Sequence, residues 1–265
     1  MSVEFVDIDW QGRRITIEHQ WLGRERRGQP LMIFLHEGLG SVAMWRDFPA
    51  RLVDALGWRG LVYSRPGYGR STPRAADETW GPDFMHHQAE QVLPTLLRAL
   101  DIDTDHEPPW LFGHSDGGSI ALLHAAAFPS RVAGLIVLAP HIVVEDVSIE
   151  NIAKAREAYL AGGLRSGLAK YHANPDSAFW GWNDIWLNPA FRDWTIEREL
   201  GAITCPLLAM QGLNDEYGTL TQIHGIAARV PQTKLVELPD CGHSPHRDQP
   251  EKVIAATVGF IQKPR

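Results

Sequence analysis

Apolar residues along this chain fall into short continuous runs, and stretches with helical spacing lie between them. The first stretch differs, because apolar and polar residues alternate from Val3 to Ile17 on either side of Gln11 and Gly12, which predicts an antiparallel hairpin. The later runs are typical of central strands buried on both faces, and they cover residues 31–35, 60–64, 109–113, 132–138, 206–210 and 234–238. Helical spacing covers residues 45–56, 86–100, 119–127 and 250–261. This alternation predicts an α/β fold, with a mostly parallel sheet flanked by helices.

The alternation stops after Pro140. From about residue 142 to residue 203 the spacing is helical throughout, and no buried-strand run occurs. The predicted helical pieces cover residues 153–161, 164–172, 179–187 and 191–200. We therefore predict one α/β core domain made of residues 1–141 and 204–265, with residues 142–203 inserted between two sheet strands as a helical cap.

Composition narrows the classes of function. The chain has 265 residues, a formal net charge of −7 and no run rich in lysine and arginine. It therefore shows no electrostatic reason to bind nucleic acid or an anionic membrane. The N-terminus lacks the apolar segment of a signal peptide, and Cys205 and Cys241 are the only cysteines. We expect two free thiols and a cytoplasmic protein that is a monomer or a homodimer.

A candidate nucleophile lies between a predicted strand and a predicted helix. Residues 113–117 read Gly-His-Ser-Asp-Gly, which matches the pattern Gly-x-Ser-x-Gly. In a nucleophile elbow this context holds the serine at the tip of a strained turn, where the glycines allow close packing. Ser115 is the predicted nucleophile. The backbone N–H of Asp116 points to the same place and is a predicted oxyanion donor.

A serine hydroxyl needs a neighbouring base, and the elbow fold supplies its acid and then its histidine further along the chain. Asp215 follows the predicted strand at residues 206–210, and His243 follows the last predicted strand. Both therefore lie at the carboxyl ends of strands, where α/β sheets place their chemistry. His246 is an alternative base, and Asp240 or Glu237 is an alternative acid. Position favours His243 and Asp215.

Together these segments resemble the α/β-hydrolase superfamily, in its cap-bearing branch of esterases and C–C hydrolases. The resemblance is carried by residues 34–41, 65–71, 113–118, 212–215 and 242–246, in the family's order. It implies an α/β-hydrolase fold with Ser115, Asp215 and His243 as the triad. Family members that open epoxides or cleave carbon–halogen bonds have aspartate at the serine position, so Ser115 argues against both reactions.

The loop after the first buried strand departs from the family pattern, because Glu37 stands where the family usually has glycine. The resemblance implies that this loop supplies the second oxyanion N–H, and we predict Gly38 as the donor with Leu39 as the next choice. Glu37 has two open interpretations, a local salt bridge or a contact with substrate.

Aromatic residues are concentrated in the predicted cap and are candidates for the pocket wall. We predict a substrate pocket formed by Trp45, Asp116, Trp180, Trp182 and Trp186. The Ser-Asp-Gly-Gly stretch also resembles that of valacyclovir-hydrolase-like esterases, where this aspartate recognises an α-amino group. For Asp116 we favour a simpler interpretation, in which its side chain caps the following helix.

The sequence thus predicts an ester hydrolase that acts on a small to medium, partly apolar substrate through an acyl-enzyme. It shows no zinc-ligand spacing and no phosphate-binding loop, so we expect no metal and no cofactor. The alternatives are a C–C hydrolase or a lactonase with the same triad and, ranked below them, a receptor that binds small molecules without turnover.

Overall fold

An eight-stranded sheet forms the centre of the protein in a computed structural model that describes residues 2–75 and 77–262. The strands are β1 Glu4–Trp10, β2 Arg13–Leu22, β3 Leu31–Leu35, β4 Arg59–Tyr63, β5 Trp110–His114, β6 Gly134–Leu138, β7 Leu207–Gly212 and β8 Thr233–Leu238. Their order is β1-β2-β4-β3-β5-β6-β7-β8. The pairs β1–β2 and β2–β4 are antiparallel, and the other pairs are parallel. The predicted hairpin and mostly parallel sheet are confirmed.

Helices cover the sheet and follow most of its strands. They are α1 Phe48–Leu56, α2 Phe84–His87, α3 Leu93–Ala99, α4 Asp116–Ala127, α5 Asp146–Leu160, α6 Gly163–Leu168, α7 Pro175–Trp186, α8 Thr221–Arg229, α9 Pro245–Asp248 and α10 Pro250–Ile261. A π-helical turn, Gln88–Val92, joins α2 to α3. Among the described residues, no helix is long and apolar enough to span a membrane.

The central strands are buried along their whole length. Every residue of β3, β5, β6 and β7 is buried, because helices lie on both faces of the sheet. The apolar side chains form two clusters, one containing Ile33 and Leu111 and the other containing Phe34 and Phe112. Neighbouring residues of one strand therefore contribute to opposite clusters, as the two-residue repeat of a strand requires.

The segment between β6 and β7 carries α5, α6 and α7 and no strand longer than a single bridge. The predicted helix at residues 191–200 is wrong. Short 3-10 turns, Pro189–Phe191 and Glu199–Ala202, flank further turns and one isolated β-bridge instead. There Thr195 pairs with Val143, and the Ile196 N–H donates to the Ile142 carbonyl over 2.9 Å. This pairing satisfies backbone groups that a helix would have bonded internally. The sequence pattern also did not predict α8.

Candidate active site

Ser115 lies in the tight turn between β5 and α4. Its φ of 53° is in the left-handed region, which a non-glycine residue rarely adopts. The Ser115 N–H donates to the Leu138 carbonyl over 2.9 Å, which ties the turn to β6. A β-carbon on Gly113 would lie 2.3 Å from the Gly117 carbonyl oxygen, and one on Gly117 would lie 2.1 Å from the Leu35 carbonyl oxygen. Both glycines are therefore required for the close packing of this turn.

Three polar side chains from three loops meet at this turn. His243 Nε2 lies 2.9 Å from Ser115 Oγ, and His243 Nδ1 lies 2.8 Å from Asp215 Oδ1. Asp215 is held in turn by N–H groups, because its Oδ1 accepts from the Tyr217 backbone over 2.8 Å and its Oδ2 accepts from Gln211 over 3.1 Å. The structure therefore brings together the serine, the histidine and the acid selected from the sequence, in hydrogen-bonding order.

The charges of this group favour an ionised acid beside the histidine. Burial raises the pKa of Asp215, but its hydrogen bond and charge interaction with His243 outweigh this and hold the pKa below the ordinary value. Burial lowers the pKa of His243, but Asp215 and, more weakly, Glu37 outweigh it, so that this pKa lies above the ordinary value. Asp215 therefore stabilises the positively charged imidazolium.

The predicted oxyanion donors line one cavity together with Ser115 and His243. Gly38, Leu39 and Asp116 all contribute to its wall. The Glu37 carbonyl accepts a hydrogen bond from Arg65 Nη2 over 2.7 Å, and His36 Nδ1 lies 2.7 Å from the same oxygen. Because carbonyl and N–H of one trans peptide point in opposite directions, these contacts fix the direction of the Gly38 N–H.

Apolar side chains from the segment between β6 and β7 close the cavity opposite Ser115. Ile152 from α5 and Trp182 and Trp186 from α7 line it, and the cavity volume is about 240 Å³. A β-carbon on Gly38 would lie 2.2 Å from Trp182 Nε1, so the indole lies directly against the oxyanion loop. The helical segment thus forms part of the candidate site itself.

Two of the predicted pocket aromatics lie elsewhere, and this part of the prediction is corrected. Trp45 is 4% exposed and packs in the core against Phe34 and Phe48, outside the cavity. Trp180 lies on α7, but its ring faces Tyr159 and the guanidinium of Arg156. All three tryptophans lie on α7, where successive residues are rotated by about 100°. Trp182 and Trp186 therefore lie on nearly the same side of the helix, and Trp180 lies on the other side.

The Asp116 side chain lies at the cavity wall without capping α4. Its Oδ1 accepts from Trp186 Nε1 over 3.3 Å, and Oδ2 lies 3.9 Å from Arg65 Nη2. Oδ2 accepts no hydrogen bond from the residues that the structure describes, and the bond to Oδ1 comes from Trp186 and not from a backbone N–H of α4. The favoured capping interpretation is therefore wrong. Burial raises the pKa of Asp116 above its ordinary value, and the nearby Arg65 charge only partly offsets this.

Sequence reasoning missed several residues of the cavity wall. They are Glu37, His141, Ile152, Glu216, Tyr217, Ser244 and Arg247, of which Glu37 was left open. Three of them come one or two residues after Asp215 or His243, and Arg247 comes four residues after His243, which was an available signal. His141 ends the turn after β6, and burial lowers its pKa to about 3, so this imidazole is neutral. Nothing in the local sequence marks Ile152.

One group among the described residues has metal-ligand chemistry, formed by Glu37, His114 and His246. One ligand atom from each lies within 4.8 Å of the others. However, Glu37 Oε2 already lies 2.6 Å from His114 Nδ1, so this carboxylate and this imidazole pair with each other.

A strained elbow serine, a histidine and an acid at strand ends, beneath a helical segment, define a class of hydrolases. Residues 32–256 match the model of the alpha/beta hydrolase family, and the chain belongs to that family. Its sheet order and helices agree with the fold of solved α/β hydrolases.

Individual relatives cover nearly the whole chain at low identity. The 2-succinyl-6-hydroxy-2,4-cyclohexadiene-1-carboxylate synthase of Enterobacter sp. (strain 638) is 27% identical over 261 residues, which cover 91% of this chain and 96% of the relative. The 2-hydroxy-6-oxo-6-phenylhexa-2,4-dienoate hydrolase of Burkholderia cepacia is 24% identical, with 87% of each chain covered. A thermophilic esterase from Thermogutta terrifontis superposes with a TM-score of 0.71 at 21% identity, over 99% of this chain and 98% of the esterase. These relatives differ in the reactions their names describe, so they support a hydrolase and leave the substrate open.

Proposed function

We propose that this protein is a serine hydrolase that cleaves a carboxylic ester of a small to medium, partly apolar substrate. One observation carries the proposal. The Ser115 hydroxyl, the His243 imidazole and the Asp215 carboxylate form a continuous hydrogen-bonded chain, with contacts of 2.9 and 2.8 Å, and Ser115 opens into a cavity. That arrangement is what activates a serine for attack on an acyl carbon.

In this mechanism Ser115 Oγ attacks the carbonyl carbon while its proton moves to His243 Nε2. The carbonyl oxygen becomes an oxyanion, which accepts hydrogen bonds from the backbone N–H groups of Asp116 and of Gly38 or Leu39. The C–O bond to the alcohol then breaks, and His243 returns the proton to the leaving oxygen. A water molecule repeats the sequence on the acyl-enzyme, which releases the acid and restores Ser115.

The shape of the cavity supports the substrate class. A volume of about 240 Å³ suits a compact acyl group, and indole and aliphatic surfaces form the wall opposite Ser115. Burial of an apolar acyl chain against Trp182 and Trp186 contributes binding free energy in proportion to the area removed from water.

A C–C hydrolase with the same triad is the second candidate. The Burkholderia cepacia relative carries the name of a dienoate hydrolase, and its named substrate is an anion. Arg247 lines the cavity, and a guanidinium there would attract a substrate carboxylate. Glu37, Asp116 and Glu216 line the same cavity and repel an anion, which favours the ester.

Labelling with a fluorophosphonate followed by mass spectrometry tests the proposal, together with hydrolysis of p-nitrophenyl acetate and butyrate. We expect the label on Ser115 and ester turnover that is abolished in Ser115→Ala. A 2-hydroxy-6-oxo-dienoate assayed in parallel separates the two candidates, because turnover of that compound in preference to both esters selects the C–C hydrolase. A wild-type protein that takes no label and turns over neither substrate class contradicts both and directs attention to a receptor.

A further inference from the structure

The Glu37 side chain connects the oxyanion loop to the nucleophile elbow. It is 20% exposed, and its Oε2 lies 2.6 Å from Nδ1 of His114, which is 1% exposed. The other nitrogen of that ring, Nε2, lies 2.7 Å from the backbone carbonyl of His243. The His114 imidazole therefore contacts both the loop of Glu37 and the loop of His243. His114 itself directly precedes Ser115 in the nucleophile elbow, so this one ring joins three loops of the site.

The geometry also fixes the proton on Nε2 of His114. A carbonyl oxygen only accepts, so His114 Nε2 carries a proton and donates it to the His243 carbonyl. Burial raises the pKa of Glu37, but the neighbouring His114 outweighs this and holds that pKa far below its ordinary value, so Glu37 is a carboxylate. This carboxylate lies 2.6 Å from Nδ1, on the other edge of the same ring, so contacts on both edges hold the imidazole in place.

We propose that Glu37 and His114 are positioning residues, which hold the oxyanion loop and the His243 loop in register with Ser115. The inference rests on the proposed function, because it assigns both residues to the serine mechanism. His114 is fixed from its other sides, since its ring packs on His246 at 4.7 Å and on Trp45 at 6.4 Å between centroids. Trp45 thus supports the site from the core, on the side away from the cavity.

The same carboxylate acts on His243 through its charge. The negative groups that raise the pKa of His243 are Asp215, then Glu37 and Glu216. The other titratable groups that face it among the described residues are the imidazoles of His141, His114 and His246, the Tyr217 phenol and the Asp116 carboxyl group. Removal of the Glu37 charge should therefore lower the pKa of His243, an effect that loss of packing alone does not produce.

Glu37→Gln tests this proposal, with Glu18→Gln as the matched control. Glu18 is a buried carboxylate, 3% exposed, which accepts hydrogen bonds from Ser64 and from the Arg70 backbone N–H and does not line the cavity. We expect Glu37→Gln to lower kcat for p-nitrophenyl butyrate by about 10- to 100-fold with little change in KM, because displaced catalytic groups lower the rate more than binding. The titration of His243, followed by NMR of the labelled imidazole, should move to lower pH. Glu37→Asp, which keeps the charge, should restore the titration.

His114→Gln provides a second variant, because glutamine can still donate to the His243 carbonyl but lacks the ring nitrogen that lies against Glu37. The kcat of His114→Gln should fall by an amount similar to that expected for Glu37→Gln. The proposal is overturned by a Glu37→Gln protein with wild-type kcat and wild-type His243 titration, or by an equal fall of kcat in Glu18→Gln. Failure of the serine mechanism is a separate result, since the wild type would then take no fluorophosphonate, while the His243 titration still reports on Glu37.

Discussion

The two sides of the cavity are built in different ways. The floor, which we define as Gly38, Leu39, Ser115, Asp116 and His243, comes from loops at the carboxyl ends of sheet strands. The roof, which we define as Ile152, Trp182 and Trp186, comes from helices between β6 and β7. Floor residues are held by backbone hydrogen bonds, by buried charges and by glycines that admit no β-carbon. Roof residues are held mainly by side-chain packing, together with the hydrogen bond from Trp186 to Asp116.

This difference separates reaction from substrate. Groups that must stay aligned to within fractions of an ångström belong on rigid elements, and a fully buried parallel sheet provides them. The roof contributes shape and apolar area, which helix packing can supply with many different residues. Changes in the floor should therefore alter the chemical step, and changes in the roof should alter the choice of acyl group.

Among changes that leave Ser115 in place, the largest effect is expected at Asp215. Asp215→Ala removes the partner of His243 Nδ1, and we expect kcat to fall by about 10⁴-fold. His243 must be neutral to accept the serine proton, and its raised pKa places the acid limb of kcat/KM in the wild type above the ordinary histidine value of 6.5. The rate is therefore lost as pH falls through the raised pKa of His243. Without Asp215 the pKa of His243 falls, so the acid limb should move to lower pH.

Asp215→Asn is the matched variant, because its oxygen can still accept from the backbone N–H groups of Tyr217 and Gly218. It keeps the loop and removes the charge, but its amide also places an N–H donor where a carboxylate oxygen stood, so its pH profile should shift in the same direction and kcat should again fall by about 10⁴-fold. Pre-steady-state and steady-state rates of p-nitrophenyl butyrate hydrolysis from pH 5 to 9 would measure the fall in kcat and the shift of the acid limb in each variant. An acid limb that stays in place in both variants would contradict the assigned role of Asp215.

The floor is sensitive to mutation because its residues lie at the ends of sheet strands, and for the same reason it could be predicted from the sequence. Ser115 directly follows β5, Asp215 lies three residues after β7 and His243 lies five residues after β8, so their places at one sheet edge follow from local pattern and strand direction. The roof could not be predicted in this way. Trp180 and Trp182 are two residues apart, and only the rotation of α7 against the sheet decides which of them faces the cavity.

Trp45 and Asp116 show a second limit. An aromatic residue just after the oxyanion loop looks the same in sequence whether it faces the cavity or the core. Trp45 faces the core because the 3-10 turn Ala43–Trp45 directs it toward Phe34 and Phe112. Aspartate is a residue type that often caps helices, and Asp116 lies at the start of α4. Its side chain instead contacts Trp186, which is 70 residues away in the chain and cannot be identified from local sequence.

An intermediate effect is expected where floor and roof touch. Gly38→Ala places a methyl group 2.2 Å from Trp182 Nε1, so either the oxyanion loop or the indole must move. We expect kcat/KM for p-nitrophenyl acetate to fall by about 10²-fold, because a shifted oxyanion donor loses its alignment with the transition state. Gly163→Ala is the control, since a β-carbon there meets nothing within 4 Å.

The double variant Gly38→Ala, Trp182→Ala locates the origin of this loss. Removal of the indole relieves the contact, so the double variant should recover much of the rate on acetate if the loop regains its position. If the double variant is as slow as Gly38→Ala, the methyl group acts on the loop itself, and contact between floor and roof is not the cause.

The smallest effect is expected in the roof, and it concerns selectivity. Trp182→Ala enlarges the cavity opposite Ser115 while leaving the triad in place, so longer acyl chains gain room that they lack in the wild type. We expect the ratio of kcat/KM for p-nitrophenyl octanoate to that for acetate to rise by roughly 10-fold, a typical size for changes of a few methylene contacts in an apolar pocket. Trp180→Ala removes an indole from the same helix that does not line the cavity, and its ratio should stay at the wild-type value. An equal rise of the octanoate-to-acetate ratio in both variants would mean that α7 affects selectivity through its packing as a whole. Selectivity would then not depend on the residues that line the roof.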